Sequence, residues 1–218
     1  MLTLPTARNK VTANGMLLAA ILIHNLTYPL SAAGGTWPAL FYGFYAAIFV
    51  LATWALTDMK TLRLFVGSAG LAVFIAGVLN SYVPSSTTAL AIYLASIAYH
   101  LGMVVVLVRY TFGARTVMTD VLLSATSLYL VIGSGFAAVL ALIEWSAPGS
   151  FVASSGTAID WQQMVYFSYV TLTTLGYGDI TPVSFYAQSF VVFEAIGGTL
   201  YTVILLSRLV GLHASQGS

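Results

Sequence analysis

The chain has 218 residues, 59% of them apolar, and carries 7 basic and 6 acidic side chains, only 6% of the total. An ordinary soluble domain is about a quarter charged, so a soluble globular enzyme, a disordered protein and a nucleic-acid binder are all excluded. The net charge of +1 is too small to steer acidic partners. With no cysteine there is no disulfide framework, thiolate metal site or cysteine nucleophile. What remains is a polytopic membrane protein surrounded by lipid.

A bilayer core about 30 Å thick needs about 20 apolar helical residues to cross it. Residues 11–57 hold no charge. They are broken by Ser31-Ala32-Ala33-Gly34-Gly35-Thr36-Trp37-Pro38, which predicts helices near 14–32 and 37–57. Residues 64–108 are again uncharged, and Asn80-Ser81-Tyr82-Val83-Pro84-Ser85-Ser86-Thr87 divides them into helices near 62–82 and 87–108. A fifth span is expected near 120–143 and a sixth near 183–208, with Glu194 inside it. The segments are long and uniformly apolar rather than alternating, which argues against spanning strands.

With six spans, all basic residues fall on one side. Arg8 and Lys10 precede the first span, Lys60 and Arg63 join the second and third, Arg109 and Arg115 join the fourth and fifth, and Arg208 closes the sixth. The charges on the opposite side are Glu144, Asp160 and Asp179. The positive-inside bias then places both termini in the cytoplasm of a multi-pass cell-membrane protein. Arg8, Lys10 and the apolar run from Met16 to Ser31-Ala32-Ala33 mimic a cleavable signal peptide. The run is long for that role and is read as a span.

Residues 144–182 are too long for a simple turn. Ser146-Ala147-Pro148-Gly149-Ser150 and Ser154-Ser155-Gly156-Thr157 predict an exposed loop. Asp160-Trp161-Gln162-Gln163 then opens a short helix with Asp160 as N-cap, continuing to Thr173. At about 1.5 Å per residue such a helix reaches only part-way through a bilayer, which makes it re-entrant.

Thr174-Leu175-Gly176-Tyr177-Gly178-Asp179 follows, then Ile180-Thr181-Pro182. This stretch resembles the selectivity filter of the potassium channel family. The resemblance covers roughly 119–213 and rests on GYGD after a Thr-Thr-ended half-helix between two apolar spans. It implies an all-α membrane protein of six transmembrane helices, with a re-entrant pore helix and filter between helices five and six. It also implies division into a four-helix domain (1–108), a cytoplasmic linker (109–118) and a pore domain (119–218).

The chemistry of that loop follows from its residues. A potassium ion entering a low-dielectric region loses hydration worth on the order of 20 kcal/mol in Born terms. Backbone carbonyls in series replace it as neutral dipoles, without the tight binding of side-chain charges. Pointing successive carbonyls at one axis needs φ > 0 at some residues, which Gly176 and Gly178 permit. The carbonyls of Thr174, Leu175, Gly176 and Tyr177, with the Thr174 hydroxyl, are the expected K+ ligands. One chain supplies one strand of such a filter, so a homotetramer around the pore axis is inferred. The C-terminal end of the half-helix adds about half a negative charge aimed at the cavity.

By resemblance, Tyr166 and Phe167 pack around the filter tyrosine, and Asp179 holds the outer mouth. Some members pair that aspartate with an acid four residues before the filter threonine; here the position is Val170. Gly197 and Gly198 lie in the sixth span, where Gly198 matches a gating hinge and close helix packing is the alternative. Glu194, the acid within that span, is expected behind the filter with a hydrogen bond to Ser168 or Thr171.

The first four spans depart from the voltage-gated layout. No Arg or Lys lies between Thr87 and Val108. A sensor gains about 2.3 kcal/mol per charge per 100 mV, so steep voltage gating is not expected. No ligand-binding domain is expected after Arg208. No catalytic residue, cofactor or nucleic-acid partner is expected, K+ being the permeant ion. His24 and His100 lie within spans, either as structural hydrogen-bonding groups or as proton sensors. Three other readings compete: a weakly selective cation channel, a potassium transporter subunit, and a haem redox protein using His24 and His100.

Overall fold

The computed structural model describes residues 7–114, 116 and 118–216. Arg115, counted above among the basic residues, lies outside the described residues, as do the outermost ends of the two expected domains. Seven α-helices form in chain order: α1 (Ala7–Thr27), α2 (Trp37–Leu56), α3 (Lys60–Tyr82), α4 (Ser86–Gly113), α5 (Thr119–Ser146), α6 (Trp161–Leu172) and α7 (Phe185–Gln216). A 3-10 turn at Tyr28–Ala32 extends α1. Among the described residues six helical segments are long and apolar enough to cross a membrane, and α6, with 12 residues, is not one of them. The chain is an all-α, multi-pass membrane protein.

The break after α1 falls where Pro29 and the pair Gly34-Gly35 interrupt the apolar run, Gly35 adopting φ 70°. Ser85 caps α4 reciprocally with Thr88, satisfying donors that a helix start otherwise leaves open. The helix runs on to Gly113, further than its apolar stretch alone suggested.

Helices α1 to α4 pack in sequence, and α1 and α4 both dock on α5. Tyr99, Met103, Leu107, Val66 and Val73 form the fully buried centre of this unit. Small residues let the helices approach: a Cβ on Gly77 would run into the Tyr42 ring. His24 lies flat on Phe41, ring centroids 4.7 Å apart. His100 Nδ1 sits 2.8 Å from the Ser96 carbonyl and 3.2 Å from the Tyr45 hydroxyl. Both histidines line a cavity of about 50 Å3 between this unit and α5 and α6. That volume suits a few waters.

The other half joins α5, α6 and α7. Helix α7 meets its own chain along a narrow seam of Ala187, Glu194 and Gly198, leaving Phe193, Ile196, Leu200 and Val203 exposed. At its far end Arg208 donates to the carbonyls of Thr111, Phe112 and Ala114, at 2.9, 2.9 and 2.7 Å. These are the open carbonyls at the end of α4, where a cation is favoured.

Candidate functional site

The site is built on α6 and the loop that follows it. Asp160 Oδ1 accepts from the Gln163 amide at 2.8 Å, and Gln163 Oε1 accepts from the Asp160 amide at 3.0 Å. This reciprocal cap starts α6 at the residue expected. Thr173 ends the helix, and the chain leaves it with positive φ at alternate residues: Thr174 (58°), Gly176 (60°) and Gly178 (76°). Alternation of left- and right-handed backbone turns successive carbonyls toward one side instead of both, as it does for amides in an anion nest. Two of the three positions are glycine, for which the left-handed region carries no steric cost. Thr174 was not foreseen. A β-branched residue there is strained, and it is held by the hydrogen bond its N–H donates to the Thr171 carbonyl at 2.9 Å.

The loop is fastened to α6 from behind. Leu175 and Gly176 both donate to the Val170 carbonyl, at 2.9 and 3.3 Å. At the outer end Tyr166 donates to Asp179 Oδ2 at 2.7 Å, and its ring is nearly parallel to that of Tyr177, centroids 6.5 Å apart. Tyr166 thus partners the aspartate that an acid at the Val170 position would otherwise hold. Asp179 holds the Tyr166 phenol up at about 12, chiefly by accepting its hydrogen bond. A raised phenol stabilises the fold while it keeps its proton. That contribution is complete below pH 10 and is lost as pH rises toward 12. Tyr166→Phe removes the bond but keeps the ring. Amide hydrogen exchange over 175–180 is expected to speed up in this variant, and unchanged exchange would dismiss the Tyr166–Asp179 tie.

Phe167, expected beside Tyr177, is buried against Phe151 instead, centroids 5.5 Å apart. That contact belongs to a short antiparallel ribbon, β1 (Phe151–Ala153) with β2 (Ile180–Pro182). The Ser154 amide donates to the Asp179 carbonyl at 2.8 Å. Glu144 receives the amides of Gly149 and Phe151 at 2.8 and 2.9 Å. The polar stretch expected as a plain exposed loop therefore clamps the chain leaving Gly178. Nothing in its composition signalled strands, because three residues pair only through this tertiary closure.

Behind the loop, Glu194 of α7 is fully buried and its Oε1 lies in hydrogen-bond contact with Ser168 Oγ, one of the two partners expected. Gly198 lies against the last turn of α6, where a Cβ would collide with the Leu172 carbonyl, whereas Gly197 faces open space. The 174–178 face is uncovered in a single chain: Leu175 is 56% and Tyr177 66% exposed.

Residues 116–212 match a family model described as an ion channel. Over 82 residues, 38% of this chain, the sequence is 39% identical to "Two pore potassium channel c" of Oryza sativa subsp. japonica. The match spans 16% of that relative's length. No solved structure matches the chain.

Proposed function

We propose that this chain, of which residues 116–212 match an ion channel model and 82 residues are 39% identical to part of a two pore potassium channel, conducts K+ selectively and passively across the membrane as a homotetramer. The observation that carries the reading is the alternation of positive φ at Thr174, Gly176 and Gly178 on a loop whose one face is uncovered in the single chain. Four such loops around an axis present the carbonyls of Thr174, Leu175, Gly176 and Tyr177 to a dehydrated ion, with Gly178 closing the ribbon. Neutral dipoles in series bind strongly enough for entry and weakly enough for exit. The ring of Asp179 residues at the mouth concentrates cations, and the four α6 C-termini favour one at the membrane centre.

In this reading Tyr166, Phe167 and Glu194 support the filter, and Gly197 and Gly198 lie where α7 bends or packs during gating. Both termini face the cytoplasm, where Lys10, Lys60, Arg63, Arg109 and Arg208 gather. Steep voltage gating is absent, since Arg109 is the only charged residue of α4.

The test is the reversal potential of purified protein in a planar bilayer with K+ on one side and Na+ on the other. A value far toward the K+ equilibrium potential supports selectivity. Reversal near zero supports a weakly selective cation channel. Subunit counting by stepwise photobleaching separates a four-copy channel from transport by a single chain.

A further inference from the structure

Glu194 is 0% exposed within one chain, so neither lipid nor a neighbouring subunit reaches it. Its Oε1 lies in hydrogen-bond contact with Ser168 Oγ on α6. The same Ser168 Oγ is 2.6 Å from the Gly133 carbonyl on α5. Glu194 Oε2 has no partner among the described residues. The ion pair found among those residues, Arg63–Asp58, lies elsewhere. The titratable groups facing Glu194 are Tyr129 from α5 and Tyr169 from α6. Their hydroxyls donate to the carbonyls of Leu172 at 3.0 Å and Leu130 at 2.8 Å. On α7 itself the nearby phenol, Tyr201, donates to the Ala125 carbonyl at 2.6 Å. Among the described residues no cation compensates Glu194.

The hydrogens can be counted. A serine hydroxyl has one hydrogen, while a carbonyl and an ionised carboxylate only accept. With Glu194 ionised, Ser168 satisfies one of its two close oxygen neighbours and meets the other lone pair to lone pair. The carboxylate would also be a buried, unpaired charge, which is costly. One arrangement satisfies every contact: Glu194 donates from Oε1 to Ser168 Oγ, and Ser168 donates to the Gly133 carbonyl. Oε2 is then the carbonyl oxygen of a neutral acid, far cheaper to leave without a partner than a charge.

We propose that Glu194 is a protonated carboxylic acid whose single proton ties α7 through α6 to α5, making it a positioning residue for the ion pathway. The tie meets α6 six residues before Thr174, and Gly198 meets the last carbonyls of α6 one turn further along α7. The inner helix therefore holds the filter-bearing helix at two heights. A neutral acid also keeps four negative charges from sitting behind the filter, where they would bind cations tightly and slow their exit. This consequence for conduction rests on the channel reading; the proton itself does not.

The test uses the full chain in lipid. Infrared difference spectra of wild type against Glu194→Gln are expected to show the carbonyl stretch of a protonated carboxyl, shifted in Ser168→Ala. Glu194→Gln keeps a donor toward Ser168 and should retain K+ current and selectivity. Glu194→Ala breaks the relay and should lose at least about tenfold in selective current, the scale of a lost buried hydrogen bond. A carboxylate band in place of the protonated one overturns the proposal, and so does a Gln variant that fails as the Ala variant does. If the protonated band is present and wild-type current is unselective, the proton assignment stands and the K+-selective reading falls.

Discussion

Gly176→Ala is expected to abolish selective K+ current while leaving the protein folded. The residue sits at φ 60° with no atom within 4 Å of a Cβ built on it. The cost of alanine is therefore conformational, not steric crowding from neighbours. A left-handed residue with a Cβ costs about 1–2 kcal/mol. In a fourfold assembly this becomes about 4–8 kcal/mol against the conducting arrangement, or three or more powers of ten in its population. Each loop relieves the strain by turning the peptide at 176, and its carbonyl leaves the axis. Gly156→Ala is the control: its φ is 70° and its surroundings are equally open, but it lies in the outer loop. That variant should lose a little thermal stability and keep its reversal potential. Equal K+ and Na+ behaviour in wild type and Gly176→Ala alike would remove the role given to this backbone.

Gly198→Ala and Gly197→Ala should separate sharply, although the two residues are adjacent. The added methyl at 198 would collide with the Leu172 carbonyl and approach Leu172 Cδ1 at 3.0 Å. Forcing a methyl into a packed contact costs about 1–3 kcal/mol, here at the end of the helix that leads into the 174–178 loop. At 197 the space is open, and replacing a mid-helix glycine gains up to about 1 kcal/mol of helix propensity. Gly198→Ala should lower the melting temperature of the detergent-purified protein and reduce current, while Gly197→Ala should hold or raise the melting temperature. Similar losses in both variants would favour a bending role for the pair over the packing contact.

How much was legible can be judged residue by residue. The six spans were readable because charge in hydrocarbon is so costly that its scarcity marks each segment, Glu194 in the sixth being the exception. The start of α6 was readable because Asp160 and Gln163 are three residues apart, and a capping box is a local event. The backbone need at Gly176 and Gly178 was readable because only glycine enters the left-handed region cheaply. The Glu194–Ser168 contact was anticipated in part, since an acid within a span must find a partner in its own bundle. Contacts that no local rule ranks were not readable. Tyr166 rather than an acid at 170 holds Asp179, and Phe167 turns to Phe151. Arg208, seen as a topology marker, also grips the end of α4 across more than 90 residues of chain.

Composition and local spacing alone determined six segments long and apolar enough to cross a membrane, and a short helix followed by a ribbon with left-handed backbone at Gly176 and Gly178. Those are properties of segments, set by transfer free energy and by backbone sterics within a few residues. Tertiary structure decided which partners brace that ribbon: Tyr166 over Asp179, the strand pair clamping its exit, and Glu194 and Gly198 pressed against α6. Many polar and small residues are chemically able to fill those places, and only the packing of α5, α6 and α7 selects among them.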